Sequence, residues 1–281
     1  FLAIQVVLFY QRMMPLIIDQ RNVKTVGKAM KDADPNLPIT QIDHTIVRGV
    51  IAYTSKKPER MDHERGREFY TITKYGWGGR TIGVHTEIDD RPSVMRDATY
   101  TVDENWMPQD CFVRLTVADK FMGTGWFKFH DTHTECETFT ALEGRVSQRM
   151  DHKHGPLKSF QNHAIACDSW HFAHYDLSNG PGMQSIDELL LCSPDHRGAT
   201  GPMLYPLRLD LAYVGEEKIT IGAGTFDAHH FQVPTNTDLP EEHPPYEVFT
   251  STDGDYTFLK GGVAGYMQTH YELVEYEKTV G

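Results

Sequence analysis

Long runs of period-two alternation, each closed by a turn, constrain this chain more than any other feature. In GREFYTITKYGWGGRTIGVHTEID, Phe69, Thr71 and Thr73 alternate with Tyr70, Ile72 and Lys74, and Gly-Trp-Gly-Gly then reverses the chain. A side-chain period of two belongs to a β-strand, and glycine supplies the backbone angles of a tight turn. The segment RDATYTVDENWMPQDCFVRLTVADKFMGTGWFKFHDTHTECETFTALEGRV continues the meander, with reversals at DENWMP, ADK and HDTH. Within it, Phe112, Arg114 and Thr116 alternate with Cys111, Val113, Leu115 and Val117, the pattern of a strand with one buried face. Alternation resumes at YPLRLDLAYV and runs through KITIGAGTFDAHHFQVP, YEVFTSTDGDYTFLKGG and VAGYMQTHYELVEYE. Roughly ten strands follow from these signals. The predicted fold is mainly β, an antiparallel barrel or half-barrel in a single domain over residues 1–281, a length that such folds reach undivided.

Two interruptions break the pattern. From about 15 to 32, Leu16, Val23, Val26 and Met30 recur at helical intervals, which predicts an N-terminal amphipathic helix ended by DADPNLP. From about 150 to 203 lies an insert, helical or irregular, too long for a structureless loop. In it, Ser185 and Glu188 form a capping-box pattern that predicts a short helix from Ile186. The opening apolar run, ahead of Met13 and Met14, is too short to span a bilayer and reads either as a buried strand or as sequence upstream of a natural start.

Charge excludes some partners. Lys+Arg 27 against Asp+Glu 39 gives a net charge of -12 without a basic run, so neither nucleic acid nor an anionic membrane surface is expected. Cys111, Cys136, Cys167 and Cys192 show no CxxC pair, which predicts free thiols and a cytoplasmic location rather than two disulfides. GxGxxG before a helix, GxxxxGK[ST] and GxSxG do not occur, against Rossmann, P-loop and α/β-hydrolase folds.

The cadence of TIGAGTFDAHHFQV and PYEVFTSTDGDYTFLKGGVAGYMQTHYELVEYE, about sixty residues from Ile219 onward, resembles an uncharacterised group of bacterial long-strand β proteins. There a Gly-x-Phe strand is followed by two late strands ending in a Tyr-Glu-Leu-like segment. The resemblance implies a lipocalin-like antiparallel barrel or half-barrel and brings no catalytic residues.

Chemistry concentrates in FQNHAIACDSWHFAHYD. On a helix, His163, Cys167, His171 and His174 would lie along one face, and Asp168 could orient His171. In the strand TFDAHHFQV, Asp227 and His229 share one face, and His230 and Gln232 the other. Aromatic residues suit the walls of an apolar cavity. The expected site therefore combines His171, Asp168, His163, His229 and Asp227 as acid–base groups with Trp170, Cys167, Phe172, Tyr271 and Trp126 around the substrate. His130, Asp131 and His133, at a strand end, form a turn that can bind metal but equally a solvated turn.

The expected function is a cofactor-independent, metal-free enzyme, a dehydratase, hydratase or isomerase acting on a small apolar or amphipathic molecule. Two other classes remain open: a metal-dependent hydrolase or oxygenase using the insert histidines, and a non-catalytic carrier of lipophilic ligands. A homo-oligomer is compatible with the unassigned strand edges.

Overall fold

The computed structural model describes residues 44–236, 239 and 242–280. The N-terminal helix expected at 15–32 and the opening apolar run lie outside the described residues.

Among the described residues, fifteen strands form one sheet. Eight come before the insert: β1 (His44–Ser55), β2 (Glu64–Tyr75), β3 (Arg80–Ile88), β4 (Val94–Val102), β5 (Pro108–Val117), β6 (Lys120–Phe129), β7 (His133–Thr140) and β8 (Gly144–Asp151). The insert carries β9 (Ser159–Gln161), a single helical turn α1 (Ile165–Asp168), a 3₁₀ segment (Ser169–His174) and β10 (Gly182–Leu191). Five strands complete the sheet: β11 (Tyr205–Ile221), β12 (Gly224–Val233), β13 (Tyr246–Ser251), β14 (Phe258–Val263) and β15 (Thr269–Val280).

Every strand up to β8 pairs antiparallel with its neighbour in sequence, as do β10 to β15. The two wings join where β1 pairs with β15, so the order runs from β8 through β1 and β15 to β9. Only β9 runs parallel to its neighbour, β10.

In these strands the alternation separates a buried face from an exposed one. Tyr70 and Ile72 of β2, and Cys111, Val113 and Leu115 of β5, are buried, while Phe69 and Phe112 are exposed. The long β11–β12 hairpin follows the same rule at its cavity end, with Leu209, Leu211 and Tyr213 buried beside Phe231 and Val233 on the same face.

The insert packs into the interior. Phe160 packs on Tyr100, Phe127 and Phe129 of one wing, whereas Phe172 stacks on Phe231 and Tyr175 meets Tyr213 in the other. β4 and β12 stand seven places apart in the sheet order, roughly 34 Å on a flat sheet at about 4.8 Å per strand. One short segment can touch both only if the sheet curls around it. A barrel of this many strands is wider than its own side chains can fill, and a plug of chain supplies the missing core.

The helix expected from Ile186 is a strand. Glu188 does not cap Ser185; its Oε1 accepts hydrogen bonds from Lys153 N and His154 N, while Ser185 Oγ donates to Asp210. Leu189, Leu190 and Leu191 pair with β9 on one side and β11 on the other, and three consecutive buried leucines suit a strand covered on both faces. The insert is therefore shorter than 150–203, because β8 runs to Asp151 and β10 belongs to the sheet.

Candidate functional site

A polar row in the wall positions the plug. Glu68, Thr86 and Arg96 are cross-strand neighbours on β2, β3 and β4, all buried and all on the inward period of their strands. The Glu68 carboxylate accepts hydrogen bonds from Tyr53 Oη at 2.8 Å, Thr86 Oγ1 at 2.9 Å, Ile165 N at 3.0 Å and Ala166 N at 2.7 Å. It thus satisfies the free backbone N–H groups at the start of α1, which a buried helix end requires. Arg96 donates from Nη1 to the His163 carbonyl at 2.6 Å and from Nη2 to that of Arg197. His163 has φ 63, a left-handed conformation uncommon for a residue with a Cβ. Gly198 lies against it: a Cβ there would fall 2.8 Å from His163 Cβ and 2.5 Å from Arg96 Nη2, so no larger residue fits beside this turn.

Between the plug and the β10–β15 wing lies a cavity of about 120 Å³. Leu189, Leu191, Leu207, Leu209 and Val263 give it apolar walls; Gln161, His163, Asp168, His171, Tyr246 and Tyr271 bring polar groups to it. The other side of the plug, where Trp170 meets Tyr100 and Trp106, is packed solid.

Asp168 is the chemically distinctive group. Burial pushes its carboxyl up to about 7, with the Glu68 charge adding to the effect and the hydrogen bond from Gln161 Nε2 at 2.7 Å opposing it. The Tyr246 hydroxyl lies within electrostatic reach of Asp168, is buried, and makes no well-formed hydrogen bond. Gln161 is itself fixed, because its Oε1 accepts from His163 N at 2.9 Å. The histidines are neutral: burial lowers His163 and His171 to about 3, helped by Arg96 beside the first and His174 beside the second. His163 donates from Nε2 to the Ser193 carbonyl at 2.9 Å, and Ser159 Oγ lies 2.5 Å from His171 Nδ1.

Of the residues expected at the site, Asp168, His163, His171, Phe172 and Tyr271 line this cavity. The single helical face does not form, since α1 is one turn long and a 3₁₀ segment follows. Asp168 does not orient His171: each is taken by its own partner on β9, Gln161 and Ser159. Cys167 points away, accepting from Asn162 Nδ2 at 3.3 Å, and Trp170 belongs to the solid side. Trp126 lies outside the barrel, because Phe127 and Phe129 take the inward positions of β6. Asp227 is exposed and pairs with Lys218 at 2.6 Å. His229 is buried beside Tyr213 and Tyr256, at a different place from the cavity.

The insert histidines do not converge on a metal position. Among the described residues, His130, His133 and Glu135 are the group whose ligand atoms approach one another, within 4.8 Å, and they sit on the outer face of the β6–β7 hairpin. Both imidazoles contact the Glu135 carboxylate there, at 3.6 and 3.4 Å.

No known protein family matches the chain, and no curated protein matches it either. Among solved structures, it superposes on a β-barrel-like protein of a domain of unknown function, DUF1849, from Brucella abortus. The TM-score is 0.51 and the identity 10%, over 85% of this chain and 98% of that one. A protein with a YmcC-like fold from Bacteroides fragilis aligns at 8% identity and TM-score 0.27, covering 84% and 96% of the two chains. A DUF1329 family protein from Desulfovibrio piger gives 8% and 0.25, covering 86% and 88%. The first of these establishes a shared β-barrel-like fold and carries no activity with it.

Several functional residues escaped the sequence. Glu68 and Arg96 had a readable signal: each occupies the apolar period of its strand, Glu68 with Tyr70 and Ile72, Arg96 with Val94, Ala98 and Tyr100. A charge on a core-facing period demands a buried partner. Tyr246 had none, because only the curl of the sheet brings β13 to the plug.

Proposed function

We propose that the protein is an enzyme that moves a proton on a small, mostly apolar molecule, with Asp168 as the acid–base group and Tyr246 as the partner for developing charge. The observation that carries this reading is a buried carboxyl, raised to about 7, that lines an apolar cavity beside the buried Tyr246 phenol. A base with a pKa near the working pH combines an ionised fraction with driving force for proton transfer. In the reaction that this geometry favours, Asp168 removes a proton from a carbon next to a carbonyl. The Tyr246 hydroxyl donates a hydrogen bond to the resulting enolate oxygen, and the proton returns to a different carbon. That is an isomerisation without a cofactor. A hydratase or dehydratase uses the same two groups when a hydroxyl lies β to the carbonyl. His163 and His171, neutral and hydrogen-bonded, shape the walls rather than carry the proton.

Deuterium incorporation from D₂O into a panel of unsaturated and β-hydroxy ketones, followed by NMR, tests the reading. Wild type should exchange the acidic C–H, faster as pH rises through about 7 and Asp168 ionises. Asp168→Asn should lose roughly 10² to 10⁴ of the rate. Exchange that persists in Asp168→Asn would remove Asp168 from the chemistry.

The leucine and valine lining also favours a second reading, a carrier that holds a lipophilic ligand without turning it over. A carrier binds the same molecules in wild type and Asp168→Asn and exchanges no deuterium in either.

A further inference from the structure

Next to the inner cavity lies a second, outer chamber of about 740 Å³. His163, Ile165, His196, Met267 and Tyr271 line both, so the two spaces lie side by side. Their linings differ sharply. Lys57, Arg60, Arg65, Arg91 and Arg197 line the outer chamber, against the carboxylates of Asp89 and Asp90.

Much of that charge is already engaged. Asp90 holds both Arg60, at 2.8 Å, and Arg65, and Asp89 meets Arg67 at 3.3 Å. The Lys57 and Arg91 side chains have no hydrogen bond or ion pair among the described residues. Arg197 reaches Asp195 only at 3.9 Å, and its Nε is buried without a hydrogen bond. In a chain of net charge -12, five of the 27 Lys and Arg residues thus stand together beside an apolar cavity. Left unpaired, such a cluster repels itself; an anion placed among the three relieves it.

We infer that the ligand is an amphiphile with an anionic oxyacid head, a carboxylate or a phosphate. Lys57, Arg91 and Arg197 hold the head in the outer chamber, and the apolar part passes His163 and Tyr271 into the inner cavity. Guanidinium groups present paired N–H donors that match the oxygens of either head group. A free inorganic anion would leave the leucine-lined cavity unfilled, and a neutral lipid would leave the cations unpaired. The inference rests on the cavity of the proposed enzyme and names its substrate class, but its test is a binding measurement.

Calorimetric titration of the full chain with octanoate, octyl phosphate and octanol, at low and moderate salt, decides it. At least one of the two anions should bind about tenfold or more tightly than octanol, and added salt should weaken it. The preferred anion identifies the head group. The triple variant Lys57→Gln, Arg91→Gln, Arg197→Gln should lose that preference, about tenfold in affinity, and bind octanol as wild type does; unchanged octanol binding shows that the fold is intact. Octanol binding as tightly as both anions, or a triple variant that keeps the preference, overturns the inference. The two proposals fail separately. Asp168→Asn should keep the charge preference while losing exchange, so surviving exchange defeats the catalytic reading alone, and lost preference in wild type defeats the anion site alone.

Discussion

At the scale of single residues, Asp168 links activity and stability with opposite signs. Its ordinary value of 3.8 is raised to about 7 in the fold. The folded state therefore holds this proton more tightly than the unfolded chain does. The group's contribution to stability is most favourable below about pH 4, diminishes as pH rises toward 7, and is constant above that. Asp168→Asn removes the ionisation while its Oδ1 still accepts from Gln161. The variant should therefore gain stability relative to wild type between pH 4 and pH 8, by about 2–4 kcal/mol. Urea unfolding at the two pH values measures this. A variant that loses stability at pH 8 would mean that the carboxylate is a structural acceptor and not a strained catalytic group. The sequence exposed Asp168 as a candidate because so much chemistry crowds its segment, but it assigned the wrong companion. A spacing of three suggests that Asp168 and His171 meet; here β9 supplies a partner to each instead, Gln161 to Asp168 and Ser159 to His171.

At the scale of elements, the plug depends on the wall. Glu68 receives four hydrogen bonds, two of them from the first N–H groups of α1. Glu68→Ala leaves them buried and unsatisfied, which should cost about 3–5 kcal/mol. The loss should concentrate in the insert: hydrogen exchange at Ile165 and Ala166 should accelerate more than at β5 or β6. Uniform acceleration would show that Glu68 supports the sheet rather than the plug. Strands were legible because alternation is local, and the β2–β3 and β5–β6 hairpins follow directly from their turns; which face of each strand turns inward was not, since that depends on how the sheet curls. The Ser185–Leu191 segment was not, since a capping-box pattern and a leucine run fit a helix as well as a doubly covered strand, and pairing with β9 and β11 decides between them. Trp126 failed for a related reason, as Trp126 and Phe127 are adjacent aromatics and only one can face inward.

For the whole molecule, a sheet curled around a histidine-bearing plug has a consequence for acid stability. Burial holds His163 and His171 at about 3 and His174 at about 4, against 6.5 in an unfolded chain. These depressed values contribute stability that is complete above about pH 6.5 and is lost as pH falls toward 4. Asp168 works against them, since over the same interval the fold takes up a proton there that the unfolded chain does not. Three protons favour unfolding and one favours folding, a net of about two, or roughly 3 kcal/mol per pH unit. Burial lowers His229 and His243 as well, which adds to the histidine side, whereas burial raises Glu68, which adds to the side of Asp168. Between about pH 6.5 and pH 4 this removes about 7 kcal/mol, so a domain in the lower half of the usual range of about 5–15 kcal/mol should unfold cooperatively by about pH 4. His171→Asn removes one of the three protons and should shallow the dependence by about 1.4 kcal/mol per unit, whatever it does to stability at neutral pH. Circular dichroism across pH 7 to 3, with urea melts at each step, gives both slopes. A wild type that stays folded to pH 3, or a variant with an unchanged slope, would mean that water reaches the plug and the histidines titrate as they do in solution.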